Sequence, residues 1–108
     1  MQTLKAALAK CKIVPVVVVH DVAHAVPLAN ALANGGLTVV EVTMRTPAAL
    51  DVISAMVKAR PDLVTGAGTV LNATHLQQAR DAGAHFGVSP GTSPALREAI
   101  LASGWTFI

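Results

Sequence analysis

Apolar runs rich in β-branched residues recur along the chain at an almost even spacing. Four of them occupy residues 14–19, 38–43, 63–69 and 85–89, and they begin about 22–25 residues apart. They are almost continuously apolar instead of alternating with polar residues, which is typical of parallel strands covered on both faces. Because parallel strands need crossover connections, the segments between them are predicted to be helices and the chain a βα repeat.

Helix starts and ends are marked by capping residues, prolines and glycines. One helix is predicted to begin at Thr46-Pro47 and to run to about Arg60. Another is predicted to begin at Ser93-Pro94 and to end near Ser103-Gly104. The other predicted boundaries are the N-caps Asp21 and Asn72, the helix ends Gly35-Gly36 and Gly83, and a short leading helix over Leu4–Lys10.

The order of these elements predicts half of a barrel. A leading helix is followed by four βα units, and Trp105-Thr106-Phe107-Ile108 has the pattern of the opening of a fifth strand. Four units are half of a (βα)8 TIM barrel, so the predicted fold class is α/β, a half-barrel that forms one domain over residues 1–108. A doubly wound open sheet is the alternative, but Gly66-Ala67-Gly68-Thr69 is not the Gly-x-Gly-x-x-Gly dinucleotide fingerprint. The apolar ending inside an element further predicts that the chain has been cut.

Composition argues against several classes of protein. Hydrophobic residues make up 53% of the chain and charged residues 13%, which argues against disorder. The net charge of +2 comes from scattered lysines and arginines, and only 3% of residues are aromatic, so no nucleic-acid partner is expected. No apolar run approaches the ~20 residues of a membrane helix, and residues 1–12 lack the apolar core of a signal peptide. The single Cys11, expected to be a small buried residue, fits a reducing compartment, so we expect a cytoplasmic protein without a membrane partner.

Glu41 interrupts the second predicted strand between two valines. Since side chains alternate along a strand, Glu41, Thr43 and Arg45 share one face while the valines face the helices, so Glu41 is predicted to face the barrel interior. Burial raises the pKa of a carboxyl group toward the range of a general base, which makes Glu41 the leading catalytic candidate. A salt bridge with Arg45 is the structural alternative, but four residues of extended strand span ~13 Å.

Three further candidates lie where strands give way to loops, which is where active sites form in α/β architectures. The guanidinium of Arg45 suits a carboxylate or phosphate. Thr69 offers a hydroxyl to an anion, next to glycines that let a ligand approach the backbone. Pro90, within Ser89-Pro90-Gly91, follows the fourth strand and shapes the same mouth. The plain alternatives are an exposed arginine, a turn threonine and a simple turn.

The histidines give little support to a metal-binding site. His20, Asp21 and His24 carry metal-ligating groups, but Asp21 is better explained as a helix cap and no further ligand cluster lies nearby in the sequence. No metal is therefore expected, and His75 and His85 are expected to be surface and packing residues.

Five short motifs stand in a fixed order along the chain. They are Val-Pro-Val at 14–16, His24-Ala25-Val26-Pro27, Glu41-Val42-Thr43-Met44-Arg45-Thr46, Gly66-Ala67-Gly68-Thr69-Val70-Leu71-Asn72 and Ser89-Pro90-Gly91. This set, which covers essentially the whole chain, resembles the bacterial 2-keto-3-deoxy-6-phosphogluconate aldolase family, also known as 4-hydroxy-2-oxoglutarate aldolase.

The resemblance implies an activity and residue roles. It implies cleavage of 2-keto-3-deoxy-6-phosphogluconate to pyruvate and glyceraldehyde 3-phosphate, or of 4-hydroxy-2-oxoglutarate to pyruvate and glyoxylate, through a Schiff base on a lysine in the second half of the barrel. Glu41 would be the general base, Arg45 and Thr69 would hold the pyruvyl carboxylate, and Pro90 would line the site and influence facial selectivity. No metal or cofactor is implied, and a trimer is expected. Arg45 favours the gluconate-type over the galactonate-type branch.

The lysines depart from the family pattern. Lys5, Lys10, Lys12 and Lys58 lie in the leading segment or on a helix, so the chain has no Schiff-base lysine and is expected to be inactive alone. The phosphate-binding loops of the second half are missing too. One alternative is a self-associating half-barrel that binds small anions without catalysis. Another is a different phosphate-handling barrel, such as a decarboxylase or thiamine-phosphate synthase relative, and residues 41–46 weigh against it.

Overall fold

Helices and strands alternate along the chain, as the sequence predicts. The computed structural model describes residues 4–108, so residues 1–3 of the segment tested for a signal peptide lie outside it. The elements are α1 (Leu4–Lys10), β1 (Val16–Val17), a 3₁₀ turn (Val22–His24), α2 (Ala25–Asn34), β2 (Val39–Thr43), α3 (Ala49–Ala59), β3 (Val64–Gly68), α4 (Ala73–Asp81), β4 (Phe86–Gly87) and α5 (Pro94–Ser103). None of the helices within residues 4–108 has the length and apolar character of a membrane span.

The strands form one parallel sheet in the order β1-β2-β3-β4. Its register aligns residues of all the strands in a single row across the sheet. That row consists of Val16, Glu41, Gly66 and Phe86. Side chains alternate along each strand. The side chains of this row therefore lie on one face of the sheet, the inner face, and those of the residues directly before and after each of them lie on the outer face.

A fifth strand begins after α5. The Gly87 N–H donates to the Thr106 carbonyl at 3.0 Å, and the Ile108 N–H donates to the Gly87 carbonyl at 2.8 Å. Gly87 and Phe107 form a parallel bridge. The predicted opening of a fifth strand at the end of the sequence is therefore confirmed.

The two faces of the sheet bury different apolar clusters. On the outer face, Val40 and Val42 pack with residues of α3. On the inner face, Phe86 packs with Ala7, Val39 and Val64. The Thr38 hydroxyl donates to the Ala7 carbonyl at 2.7 Å, which ties α1 to the start of β2. Helix α1 therefore closes the amino-terminal end of the inner face.

The inner face of β1 is open. Val16 is 60% exposed and Val18 47% exposed, although both lie in the apolar run predicted to be a strand covered on both faces. That prediction is wrong for β1, because β1 lies at the edge of the sheet with β2 on one side only. Cys11, expected to be buried, is half-buried.

Most predicted helix boundaries are confirmed. Asp21 accepts from the Ala23 N–H at 2.9 Å and so caps the 3₁₀ turn, whereas α2 itself begins later than predicted, at Ala25. The other confirmed boundaries are Asn72 and Ser93, whose side chains accept from the backbone of α4 and α5, and the glycines Gly36, Gly83 and Gly104, which have φ of 92°, 98° and 66°.

Thr46 is not an N-cap, which corrects the prediction. Helix α3 begins at Ala49, so Pro47 lies in the preceding turn and not at the first helical position. The Thr46 hydroxyl instead donates to the Val19 carbonyl at 2.8 Å. This backbone acceptor follows β1, and local sequence does not reveal it. The bond ties the loop after β2 to the segment after β1.

Candidate functional site

The predicted site residues line one cavity. The cavity has a volume of about 250 Å³ and lies on the inner face toward the carboxyl ends of the strands. The structure brings together all the side chains that the sequence singled out there. The lining residues are Val16, Val18, Glu41, Thr43, Arg45, Thr69, Val88, Ser89 and Pro90.

Glu41 points into the barrel interior, as predicted. Its position on β2 places it on the face opposite to Val40 and Val42, which are buried against the helices. Its carboxyl group occupies a notch above Gly68, since a Cβ atom built at Gly68 would lie 2.7 Å from Glu41 Cδ. The missing side chain at position 68 is therefore what gives the carboxyl group its space.

The two glycines of β3 serve this chain's own side chains. A Cβ atom built at Gly66 would overlap the ring of Phe86, and one built at Gly68 would overlap the carboxyl group of Glu41. The expectation that these glycines let a ligand approach the backbone is wrong at both positions, because the space is already filled. They instead set where Phe86 and Glu41 lie.

Burial and charge act in opposite directions on Glu41. Loss of water around the carboxyl group raises its pKa above the ordinary value of 4.5, and the positive charge of Arg45 partly opposes this. In residues 4–108 the carboxylate salt bridge that forms is between Arg60 and Asp62, so the alternative of a Glu41–Arg45 salt bridge is not realised. The Glu41 carboxyl group therefore suits proton transfer better than a structural ion pair.

Arg45 places a cation at the rim of the cavity. It is exposed and follows the last residue paired in β2, where the Met44 N–H still donates to the Gly68 carbonyl at 2.9 Å. Its guanidinium is consequently free of a carboxylate within the described residues and can meet an anion from solvent.

Thr69 has a left-handed backbone. Its φ is 59°, an uncommon conformation for a β-branched residue. The chain resumes sheet-like bonding directly afterwards, with the Val70 N–H donating to the Val88 carbonyl at 3.0 Å. Such strain persists where surrounding structure fixes it and is concentrated at functional sites. Here it sets the half-buried Thr69 side chain in the cavity wall.

The segment Ser89-Pro90-Gly91 is both a turn and part of the wall. The Ser89 hydroxyl donates to the Gly91 carbonyl at 2.5 Å, which closes the turn. Pro90 is exposed at the mouth and lines the cavity with Ser89. The segment is therefore both the simple turn and the part of the cavity mouth that the sequence offered as alternatives.

Thr43 also belongs to the site, although it is not among the predicted site residues. Thr43 is 4% exposed, lines the cavity between Glu41 and Arg45, and donates its hydroxyl to the Val17 carbonyl at 3.3 Å. The alternation that puts Thr43 on the face of Glu41 was a sufficient signal. Val16, Val18 and Val88 were also missed, because an apolar strand residue gives no sign of which face it occupies.

The remaining candidates lie elsewhere. Within residues 4–108 no three His, Cys, Asp or Glu side chains are grouped to hold a metal ion. Nδ1 of His75 accepts from the Leu71 N–H at 3.4 Å, and Nδ1 of His85 accepts from the Thr65 N–H at 3.0 Å. Burial lowers the pKa of His85. All the lysines are exposed, and none of them lines the cavity.

Comparison with known proteins agrees with this architecture. The KDPG and KHG aldolase family model matches residues 4–108. The 2-dehydro-3-deoxy-phosphogluconate aldolase of Pseudoalteromonas atlantica is 55% identical over 87 residues, which are 81% of this chain and 40% of that protein. The crystal structure of 2-keto-3-deoxy-6-phospho-gluconate aldolase from Zymomonas mobilis superposes with a TM-score of 0.90 at 44% identity, and covers 99% of this chain and 52% of that one.

A third relative carries a trapped ligand. It is KDPG aldolase from Legionella pneumophila, solved with pyruvate captured at low pH as a covalent carbinolamine intermediate. Its TM-score is 0.89 at 38% identity, over 95% of this chain and 50% of that one. The chain thus spans about half the length, or less, of the relatives it matches.

The fold prediction is confirmed at this point. The structural neighbours are aldolase TIM barrels, and the four-stranded parallel sheet with its crossover helices covers about half of such a barrel. With a family match over all the described residues and a fold shared at high identity, the chain belongs to the KDPG and KHG aldolase family.

Proposed function

We propose that residues 1–108 form a single domain, the amino-terminal part of a class I aldolase barrel. The proposed reaction cleaves 2-keto-3-deoxy-6-phosphogluconate to pyruvate and glyceraldehyde 3-phosphate, with 4-hydroxy-2-oxoglutarate, which gives pyruvate and glyoxylate, as a second substrate. One observation carries the proposal: a single cavity at the carboxyl ends of the strands holds a partly buried carboxyl group, Glu41, beside the side chains of Arg45 and Thr69, which suit an anion.

The proposed chemistry uses a lysine supplied by the rest of the barrel. Its amine adds to the C2 carbonyl of the substrate, and loss of water gives a Schiff base. When the C3–C4 bond breaks, its electron pair moves into the Schiff base, and the proton of the C4 hydroxyl is taken up by a base. The enamine then accepts a proton at C3, and hydrolysis releases pyruvate. The carbinolamine captured in the Legionella relative, an adduct of an amine and the pyruvate carbonyl, supports the amine-addition step.

Glu41 is the proposed base. Its carboxyl group faces the cavity, and the raised pKa lets it hold and release a proton closer to neutral pH than an ordinary glutamate. It would take the proton from the C4 hydroxyl and return one to C3. A carboxyl group locked in a salt bridge would do this poorly, and Glu41 forms none in the described part of the chain.

Arg45 and Thr69 are the proposed carboxylate ligands. A guanidinium can grip the pyruvyl carboxylate through two N–H groups, and a hydroxyl adds a charge-assisted hydrogen bond. Both side chains reach the cavity from neighbouring strands, so they can meet on one small anion. Pro90, which also lines the cavity, would limit the face from which the aldehyde approaches.

The chain alone is proposed to be inactive. All of its lysines are exposed and lie away from the cavity, so none can form the Schiff base there. We propose a trimer as the assembly of the completed barrel and the cytoplasm as its compartment. The free Cys11 and the metabolic character of the aldolase relatives support the latter.

The test is release of pyruvate from 2-keto-3-deoxy-6-phosphogluconate, followed by a coupled lactate dehydrogenase assay. The 108-residue chain should show no turnover, and the chain extended through the second half of the barrel should be active. In the extended chain, Glu41→Gln should lower kcat, and Arg45→Met should raise KM. Arg97→Met, an exposed substitution on α5, is the matched control. Unchanged activity in a Glu41→Gln, Arg45→Met double variant would contradict the proposal.

A further inference from the structure

The aromatic ring of Phe86 lies over Gly66 on the inner face, one strand away from Glu41. Gly66 stands between the two residues in the row that crosses the sheet, with Glu41 on one side and Phe86 on the other. The ring occupies the space where a Gly66 side chain would be. Because neighbouring strands are only ~4.8 Å apart, a ring seated over Gly66 can reach the side of the Glu41 side chain.

The positions of the ring and the carboxyl group are linked. Two notches lie along β3 on this face, one at Gly66 and one at Gly68, and each would admit a side chain from a neighbouring strand. The Phe86 ring fills the first notch, and the Glu41 carboxyl group fills the second. With the notch beside it occupied, Glu41 is directed toward the carboxyl end of β3, where the cavity opens.

Phe86 is itself packed against apolar residues on its amino-terminal side. It is 1% exposed and packs with Ala7, Val39 and Val64 in the apolar cluster that closes the amino-terminal end of the inner face. The ring is therefore part of a buried apolar layer on the amino-terminal side of the Glu41 carboxyl group. The cavity lies on the other side of the carboxyl group.

We propose that Phe86 is a positioning residue for Glu41: its ring, seated over Gly66, directs the carboxyl group into the Gly68 notch and shields its lower side from water. The inference rests on the proposed proton-transfer role of Glu41. Phe86 touches no reacting atom in this scheme. It acts only by fixing the position of the Glu41 carboxyl group and by limiting the exposure of that group to water.

The first test is structural and needs no catalysis. In the unmodified 108-residue chain, NMR should show nuclear Overhauser effects between the Glu41 γ-methylene protons and the Phe86 ring protons. Their absence would overturn the proposal whatever happens to any variant. Carbon-detected titration of the Glu41 carboxyl group should then show that Phe86→Leu moves the pKa downward, toward that of an ordinary glutamate, because water enters beside the shortened side chain.

Phe107→Leu is the matched control. Phe107 lies on the outer face beside Gly87, where it packs with the other apolar cluster, so the same loss of a ring occurs away from Glu41. It should leave the Glu41 titration unchanged. A Glu41 pKa that responds equally to both variants, or to neither, would contradict a specific role for Phe86.

The second arm uses the extended barrel. Phe86→Leu should lower kcat by about tenfold or more with little change in KM, because misplacing a proton-transfer group affects the chemical step and not carboxylate binding. Equal loss of kcat with Phe107→Leu would indicate a general defect and overturn the proposal. Inactivity of the unmodified extended barrel, with the nuclear Overhauser effects and the pKa change present, would refute the proposed function and leave the positioning role intact.

Discussion

Glu41 and Gly68 meet diagonally across two neighbouring strands. The register pairs Gly68 with Thr43, and Glu41 with Gly66, yet the Glu41 carboxyl group lies over Gly68. The side chain therefore leans along β3 by two residues, toward the carboxyl end of the sheet. This places the carboxyl group at the floor of the cavity that Arg45 and Thr69 also line.

Gly68→Ala should be damaging for this reason. The added methyl group would collide with the Glu41 carboxyl group, and overpacking of this kind lowers the free energy of unfolding by about 1–3 kcal/mol. Chemical denaturation of the chain measures the stability, and kcat of the extended barrel measures the displacement of Glu41. Gly91→Ala is the control for the stability measurement, because a Cβ atom there meets nothing within 4 Å. Similar losses in the two variants would show that the notch is unimportant.

Thr69→Gly should separate stability from binding. Glycine adopts the left-handed φ of 59° without strain, so the free energy of unfolding should rise by about 1 kcal/mol. Loss of the hydroxyl should at the same time raise KM by about tenfold, the worth of one hydrogen bond to a charged group. Thr69→Ser keeps the hydroxyl and should keep KM. A Thr69→Gly variant that binds substrate normally would remove Thr69 from the carboxylate site.

Protonation of His85 should weaken the fold. Its Nδ1 accepts from the Thr65 N–H, and burial lowers its pKa, so the folded chain binds this proton less readily than the unfolded chain. The contribution of His85 to stability is present above the unfolded pKa of about 6.5 and is lost as pH falls through it toward the folded value.

The variant His85→Asn offers a side-chain oxygen as acceptor without titrating near neutral pH. Its free energy of unfolding, measured by urea denaturation between pH 8 and pH 5, should fall less steeply than that of the unmodified chain. His85→Leu removes the acceptor and should cost about 1 kcal/mol at pH 8 as well. An unchanged slope in His85→Asn would mean that another group controls the acid sensitivity.

Glu41 should affect stability in the opposite sense. Its pKa is raised in the folded chain, so the folded state binds the proton more readily, and stability is lost as pH rises above the ordinary value of 4.5. Glu41→Gln removes the charge, and its stability advantage over the unmodified chain should grow as pH rises from 4 to 8. Glu98→Gln, at an exposed glutamate on α5, is the control. An advantage that stays constant with pH would show that Glu41 ionises freely.

Much of this site follows from the strand period alone. Alternation along β2 predicts that Glu41, Thr43 and Arg45 share the inner face, and the apolar runs predict the sheet that carries them. These predictions succeed because the period of two and the burial of parallel strands are local consequences of the backbone.

Other features depend on register and on distant groups, which local patterns do not report. The pairing of Phe86 with Gly66 requires knowing which residues stand side by side on β3 and β4. Thr46, followed by Pro47, has the sequence pattern of an N-cap, but its hydroxyl donates to the Val19 carbonyl instead. Thr69 gives no local sign of a left-handed backbone, since threonine disfavours it; tertiary structure imposes that conformation.

The most direct test of the account is reductive trapping with pyruvate. Borohydride reduces a Schiff base between pyruvate and a lysine to a stable adduct, which mass spectrometry locates on the chain. We expect no adduct on the 108-residue chain and one adduct, on a lysine of the added half, when the chain is extended through the rest of the barrel. An adduct on Lys5, Lys10, Lys12 or Lys58, or none on the extended chain, would contradict the account.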